Sequence, residues 1–313
     1  MNTPKMPLRN AVILFLASLI WGTAFVAQAN GMEYLGPFTF NGIRSLMGTA
    51  VLTPLILVRR HFRVKREALG DRSTGTYSLQ NTVKAGVLCG IFLFAASNLQ
   101  QYALQYAAVG KAGFMTAMYI VMVPVLHFIV TRKTSLQVLA GVGLALAGLY
   151  FLCITGSFRL ELADILLLLC ALFFSFQILC IDRFADETTD SIEVSAIEFL
   201  VTGAASLVIG LAAENVRAAD ILSALFPLVY AGVFSSGIAY TFQIVGQKCA
   251  DPTIASLIMS LESVISLLAG MILLGQILSG REILGCALMF AAILIVQIPI
   301  GKHEKTKQNL PTE

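Results

Sequence analysis

The stretch DILLLLCALFFSFQILCI, residues 164–181, decides the fold. Its one ionisable residue, Asp164, stands at the edge, and nothing in it alternates with period two as a barrel strand would. A helix that crosses a bilayer needs about 20 mostly apolar residues, and this run supplies nearly that. Working outward, comparable runs recur at about 10–29, 37–58, 85–106, 113–131, 136–154, 192–212, 223–244, 254–275 and 282–299, which makes ten. The whole chain agrees with this reading. Of its 313 residues 57% are hydrophobic and 12% charged, about half the ~25% charge of soluble domains. Such a chain has no charged skin. The composition argues against a soluble enzyme, a disordered chain or a disulfide scaffold. The sequence therefore predicts an all-α polytopic membrane protein.

Basic residues set the orientation, because Lys and Arg collect in cytoplasmic connections. With the N-terminus inside, 16 of the 21 fall in inner connections or tails, 4 in outer ones, and Arg44 within a span. Both termini are expected in the cytoplasm, in a bacterial-type cytoplasmic membrane, as a multi-pass protein. The first run is read as a retained span, although Lys5, Arg9 and Ala27-Gln28-Ala29 resemble a cleavable leader. The net charge of +3 carries no nucleic-acid signal. Arg59–Arg66 reads as a lipid-facing basic segment before the Gly/Ser/Thr-rich 70–78, and the tail 300–313 as disordered.

Ten spans divide into two fives near residue 155. Each half opens with an aromatic-small pair, Trp21-Gly22 and Phe174-Ser175, and ends on a span dense in small residues. Five is odd, so the second half must be upside down relative to the first. The expected organisation is ten transmembrane helices in two inverted five-helix repeats, 10–154 and 164–299, followed by the tail. Inverted repeats suit a carrier that rocks about a midplane site. The small-residue faces of spans five and ten read as helix packing, with a homodimer seam as the alternative.

The order of motifs carries a resemblance. Leu19-Ile20-Trp21-Gly22-Thr23-Ala24-Phe25 resembles the first helix of EamA-type members of the drug/metabolite transporter superfamily. Gly36-Pro37-Phe38 with Arg44 resembles the second helix, and Ala103-Leu104-Gln105-Tyr106 with Val123-Pro124-Val125 the passage from third to fourth. Leu273-Leu274-Gly275 leading to Gly285 resembles the ninth-to-tenth passage. The resemblance spans about residues 10–299. It implies ten helices, two inverted repeats, and movement of a small metabolite such as an amino acid, sugar, nucleotide derivative or drug.

Ionisable groups inside spans cost roughly 2.5–3.5 kcal/mol each on insertion scales, so they mark pairs or pathways. Arg44, Glu198 and Glu262 stand out. Glu262 reads either as a carboxyl bonded to serines such as Ser266 or as a protonatable substrate anchor. Arg44 and Glu198 occupy corresponding places in the two halves, and read as a salt bridge or helix-end anchor, or as coupling and anion-binding groups. Polar stripes extend the candidate site: Asn98, Gln101 and Gln105 on span three, Ser236, Tyr240, Gln243 and Gln247 on span eight, and Ser256, Ser260 and Ser263 on span nine. In lipid these must turn inward, to partner helices or to a wet cavity. Trp21, Tyr119 and Gln177 complete the expected lining. The expected substrate-binding set is thus Trp21, Asn98, Gln101, Tyr119, Gln177, Tyr240, Gln243 and Glu262.

No GxxxxGK[ST], HExxH or CxxC occurs, and His61, His127 and His303 are scattered. No ATP drive, metal, cofactor or catalytic centre is expected. The reading is a secondary transporter of a small molecule by alternating access, an exporter driven by a gradient of protons or of the substrate. A lipid scramblase or an intramembrane enzyme is the alternative.

Overall fold

The computed structural model of the chain describes residues 6–68, 77–107, 109–132, 136–153, 161–186, 188–248, 250–274 and 279–297. The tail 300–313, most of the loop 70–78, and Cys249 lie outside them. The described residues are helical throughout, with no strand. We number the bundle helices α1 (Leu8–Gly31), α2 (Pro37–Ala68), α3 (Leu79–Ala103), α4 (Val109–Ala117 and Tyr119–Thr131) and α5 (Leu136–Cys153). The second five are α6 (Leu162–Phe184), α7 (Ser191–Ala213), α8 (Leu225–Val229, a π-helical Tyr230–Ala239, and Tyr240–Gln247), α9 (Pro252–Met259 and Glu262–Leu274) and α10 (Gly280–Gln297). A short helix, Ala218–Ser223, precedes α8.

Eight of these helices are long and apolar enough to cross a membrane. The other two, α5 and α10, carry shorter apolar stretches, Leu136–Gly148 and Ile283–Ala292. The ten expected spans thus resolve into eight of membrane length and two shorter helices. Their starts follow ordinary capping chemistry. The Asp190 carboxylate accepts the Ile192 amide at 3.0 Å, and Asp251 accepts the Thr253 amide at 2.9 Å with Pro252 at the first helical position. Glu161 and Asp164 close a capping box at α6.

Two pairs of corresponding helices, α2 with α7 and α5 with α10, meet each other and run antiparallel. The Glu214 carboxylate, just past α7, accepts the Phe38 and Thr39 amides of the first turn of α2 at 2.9 and 2.8 Å. At the opposite end Arg60 and Arg63 of α2 reach Glu193 and Asp190 at the start of α7. In the same way Gln137 of α5 donates to the Ile295 carbonyl of α10, and a Cβ on Gly148 would stand 2.8 Å from the Gly285 carbonyl oxygen. The remaining packing repeats across the halves. Helix α1 packs on α8 as α6 packs on α3. Helix α2 packs on α8 as α7 packs on α3, and α1 meets α9 as α6 meets α4. The small faces read as a possible dimer seam therefore pack on each other within one chain. Gly143 of α5 and Gly280 at the start of α10 have nothing within 4 Å of their Cβ directions.

Two further readings need correction. Arg59–Arg66 does not form a separate surface segment, because α2 continues through it to Ala68. Arg59, Arg60 and Arg63 turn toward α7: Arg60 holds Glu193 bidentately at 2.9 and 2.7 Å, Arg63 holds Asp190 at 2.7 Å, and the Tyr77 hydroxyl joins Glu193 at 2.5 Å. Burial, and then its bond to the Glu193 carboxylate, pushes the Tyr77 phenol above its ordinary pKa. Gln105 is not part of a stripe on α3, because that helix ends at Ala103 and leaves Gln105 exposed in the following turn.

The Arg60–Glu193 cluster joins the two halves, and its asymmetry gives an expected result. Glu193 is 2% exposed and Arg60 46%. Glu193→Ala removes the acceptor shared by Arg60, Arg63 and the Tyr77 hydroxyl, and is expected to lower the melting temperature by circular dichroism, on a scale of roughly 1–3 kcal/mol. Arg60→Ala is expected to lower it less, because Arg60 is half exposed and Arg63 and Tyr77 still hold the Glu193 carboxylate.

Candidate functional site

A narrow cavity of about 30 Å³, room for a water molecule, lies within the bundle. Seven helices line it, from both halves: α1, α2, α3, α4, α6, α8 and α9. Helix α1 contributes Trp21, Phe25 and Gln28, a face one turn apart each time. Tyr240 and Gln243 come from α8, just past its π-helical segment, and Ser235 from within it. The Trp21 and Tyr240 rings meet edge-on at 4.7 Å, and Phe199 supports Tyr240 from behind at 5.0 Å. These contacts hold both rings in place between α1, α7 and α8.

Helices α4 and α9 reach the cavity through matched irregularities. At Met118 (φ −60°, ψ −12°) and at Ser260 (φ −62°, ψ −11°) the backbone tightens in the same way. The Val121 amide bonds Met118 and the Ser263 amide bonds Ser260, three residues back in each case, at 3.0 and 3.1 Å. Immediately after these turns come Tyr119 and Glu262, each the first residue of the resumed helix. Interrupted helices at a site are a recurring transporter device. Tyr119 lies beside the Glu262 carboxyl, but its hydroxyl lacks hydrogen-bond geometry there and has no other partner.

Of the residues expected from sequence, Trp21, Tyr119, Tyr240, Gln243 and Glu262 line this cavity, and so does Arg44. Arg44 is 4% exposed and Glu262 5%. Arg44 and Glu198 form no salt bridge. Arg44 instead donates from Nε to Asn41 Oδ1 at 2.8 Å, and no carboxylate among the described residues lies within ion-pair range of it. Asn41 in turn bonds Ser97 at 2.9 Å, so the Arg44 stem is fixed by a polar seam between α2 and α3. Glu198 stands one step behind the cavity. Its Oε1 accepts from Gln177 at 2.7 Å, Gln177 Oε1 accepts from Gln243 at 3.0 Å, and Glu198 Oε2 has no partner.

The rest of the expected lining serves packing. Asn98 donates to Ser206 of α7 at 2.8 Å, and Gln101 to the Gln28 carbonyl at 3.4 Å; neither lines the cavity. Gln177 is likewise held between Glu198 and Gln243. Ser256, Ser260, Ser263 and Ser266 each bond a carbonyl three residues back on α9 at 2.7–2.9 Å. They shape their own helix, so Ser266 is no partner for Glu262. Gln28, Gln100 and Thr116 line the cavity without having been singled out. The Gln100 amide bonds Thr116 at 3.1 Å. The one signal for Gln28 was a polar side chain inside an apolar run. Trp21 Nε1, Gln28 Oε1 and the Tyr119 hydroxyl are buried cavity-lining atoms with no protein partner. Orphaned polar atoms of this kind mark a place for water or a ligand. Among the described residues no group of three or more His, Cys, Asp or Glu has the arrangement of a metal site.

Known proteins match along the length of the chain. The pattern that defines the EamA-like transporter family matches residues 9–154 and again 161–298. An uncharacterised transporter of Archaeoglobus fulgidus is 26% identical over 290 residues, covering 92% of this chain and 85% of that protein. The uncharacterised transporter YrdR of Bacillus subtilis is 31% identical over 107 residues, 34% of this chain and 29% of its own length. A solved structure described only as the crystal structure of a protein superposes with a TM-score of 0.71 at 20% identity, covering 92% of this chain and 96% of the other. That likeness concerns the fold alone.

Proposed function

The chain belongs to the EamA-like transporter family, and from that premise we propose that it exports a small zwitterionic metabolite of amino-acid type by proton-coupled alternating access. It is a multi-pass membrane transporter, embedded in lipid and acting on a small molecule. The supporting observation is that one cavity contains Arg44 and Glu262 together with the Trp21 and Tyr240 rings. Arg44 receives the substrate carboxylate, with its planar fork already oriented by Asn41. Glu262 receives the ammonium. The rings take an apolar side chain or the face of the cation. Tyr119, Trp21 and Gln28 supply the polar atoms that have no partner in the protein.

Glu198 stores the coupling proton in this reading. It is buried, one oxygen is unpartnered, and two amides link it to the cavity through Gln243. The two repeats, 10–154 and 164–299, move against each other, with both termini in the cytoplasm and the bilayer a bacterial-type plasma membrane. Proteoliposomes preloaded with single labelled amino acids test this. Saturable counterflow of at least one is expected, with efflux accelerated by an inward proton gradient. Glu198→Gln is expected to keep counterflow and lose the acceleration. No saturable flux across amino acids, or a gradient response intact in Glu198→Gln, overturns the reading. Movement of labelled lipid alone instead points to a scramblase.

A further inference from the structure

A second depression, separate from the cavity, lies between α1, α2, α7 and α8 and has an empty volume of about 1060 Å³. Along α8 it runs from Gly237 to Lys248, roughly eleven residues or about 16 Å at helical rise. That is close to one leaflet, half of a hydrocarbon core about 30 Å thick. Its walls are apolar, with Leu52, Leu55 and Phe242 among them, and Leu55 is 46% exposed. Its floor is open at Gly237, where a Cβ would meet nothing nearer than 3.6 Å. An apolar groove on the side of a membrane bundle offers lipid tails a matching surface.

The mouth of the groove is basic. Arg59 is half exposed and stands 3.5 Å from Asp190, whose same oxygen already takes a 2.7 Å bond from Arg63. Lys248 sits at the same level, with Nζ donating to the Thr189 carbonyl at 2.6 Å. Asp190 is the acid at this mouth, and Arg60 and Arg63 with Glu193 lie next to it. Cations of this density at the membrane edge attract acidic headgroups. A headgroup phosphate accepts charge-assisted bonds from a guanidinium, and a headgroup with no choline or ethanolamine cation keeps its net negative charge for these basic residues.

We propose that this groove binds one anionic phospholipid, its phosphate on Arg59 and Lys248 and one acyl chain laid along α8 to Gly237. A lipid seated there touches α1 and α2 of one half and α7 and α8 of the other, and so holds the two halves together on this side.

The full chain, purified in detergent, tests the site by native mass spectrometry and melting temperature with four probes: phosphatidylglycerol, phosphatidylcholine with the same chains, glycerol phosphate, and inorganic phosphate. One phosphatidylglycerol is expected to stay on each chain and raise the melting temperature by several degrees, with no shift from the other three. Arg59→Gln and Leu55→Trp are each expected to weaken retention about tenfold or more, while Arg183→Gln, a basic residue outside the groove, leaves it unchanged. Equal retention of phosphatidylcholine, an equal shift from either soluble phosphate, a lipid-free dimer closing over the groove, or undiminished retention in both variants overturns the proposal. Where a variant does not fold, photoactivatable phosphatidylglycerol on the wild-type chain decides. Labelling within 52–59 or 237–248 supports the site, and labelling confined to other helices overturns it.

Discussion

Glu262→Gln is expected to reach the membrane in normal amount and to lose flux by roughly tenfold to a hundredfold, the scale of removing one charged hydrogen-bond partner at about 1.5–3 kcal/mol. The amide keeps the shape and polarity of the side chain, so packing against Tyr119 and α1 survives. What disappears is the negative charge in a cavity that also contains Arg44. In a site closed to bulk water that charge is worth more than it would be at a surface. Counterflow falls together with gradient-driven flux, because an ammonium anchor is needed in both. This separates Glu262 from Glu198, whose loss is expected to spare counterflow. Uptake assays in proteoliposomes at equal protein load check it, and full flux in Glu262→Gln removes the residue from the site.

Gly22→Val is expected to fail more completely. A Cβ at Gly22 would stand 2.6 Å from Ile265 Cβ and 2.8 Å from the Glu262 carbonyl oxygen. The second contact is backbone and has no rotamer to relieve it. Overpacking typically costs about 1–3 kcal/mol, and here relief requires parting α1 from α9. That displacement moves Trp21 away from Glu262, so flux suffers along with stability. Gel filtration in detergent and a melting curve measure the first effect, and counterflow the second. Gly143→Ala is the internal control, since a Cβ there meets nothing within 4 Å and the variant is expected to behave as wild type. Wild-type behaviour of Gly22→Val contradicts the close α1–α9 crossing.

The helices were readable because a bilayer demands long apolar runs, and charge asymmetry pairs with them. The charged members of the site were readable too, since Arg44 and Glu262 are conspicuous in apolar surroundings. The facing of individual amides was not. Gln100 and Gln101 are neighbours on α3, about 100° apart around the axis, and only Gln100 lines the cavity. In a soluble helix the hydrophobic face would fix the phase. In a membrane bundle lipid and interior are equally apolar, and that guide is lost. Gln105 was misplaced for another reason: the turn at Leu104–Tyr106 follows from bonds such as Tyr106 N to Ala103 O at 3.0 Å, and no glycine or proline announces it. The serines of α9 mislead because a hydroxyl can bond its own helix as readily as a ligand. The cluster of Arg60, Arg63, Asp190 and Glu193 was invisible in the chain order, since its two arginines lie more than a hundred residues from its two acids.

The twin tightened turns at Met118 and Ser260 have a bearing on energetics. Each is already displaced from ideal α geometry, in the same direction and by nearly equal torsions. Bending at either spot starts from a pre-weakened rung of the ladder and not from an intact one. In the alternating-access reading proposed above, the two access states then differ little in elastic free energy. A small electrochemical bias is enough to tip such a balance, whereas a scaffold with only one soft spot would rest heavily on one side.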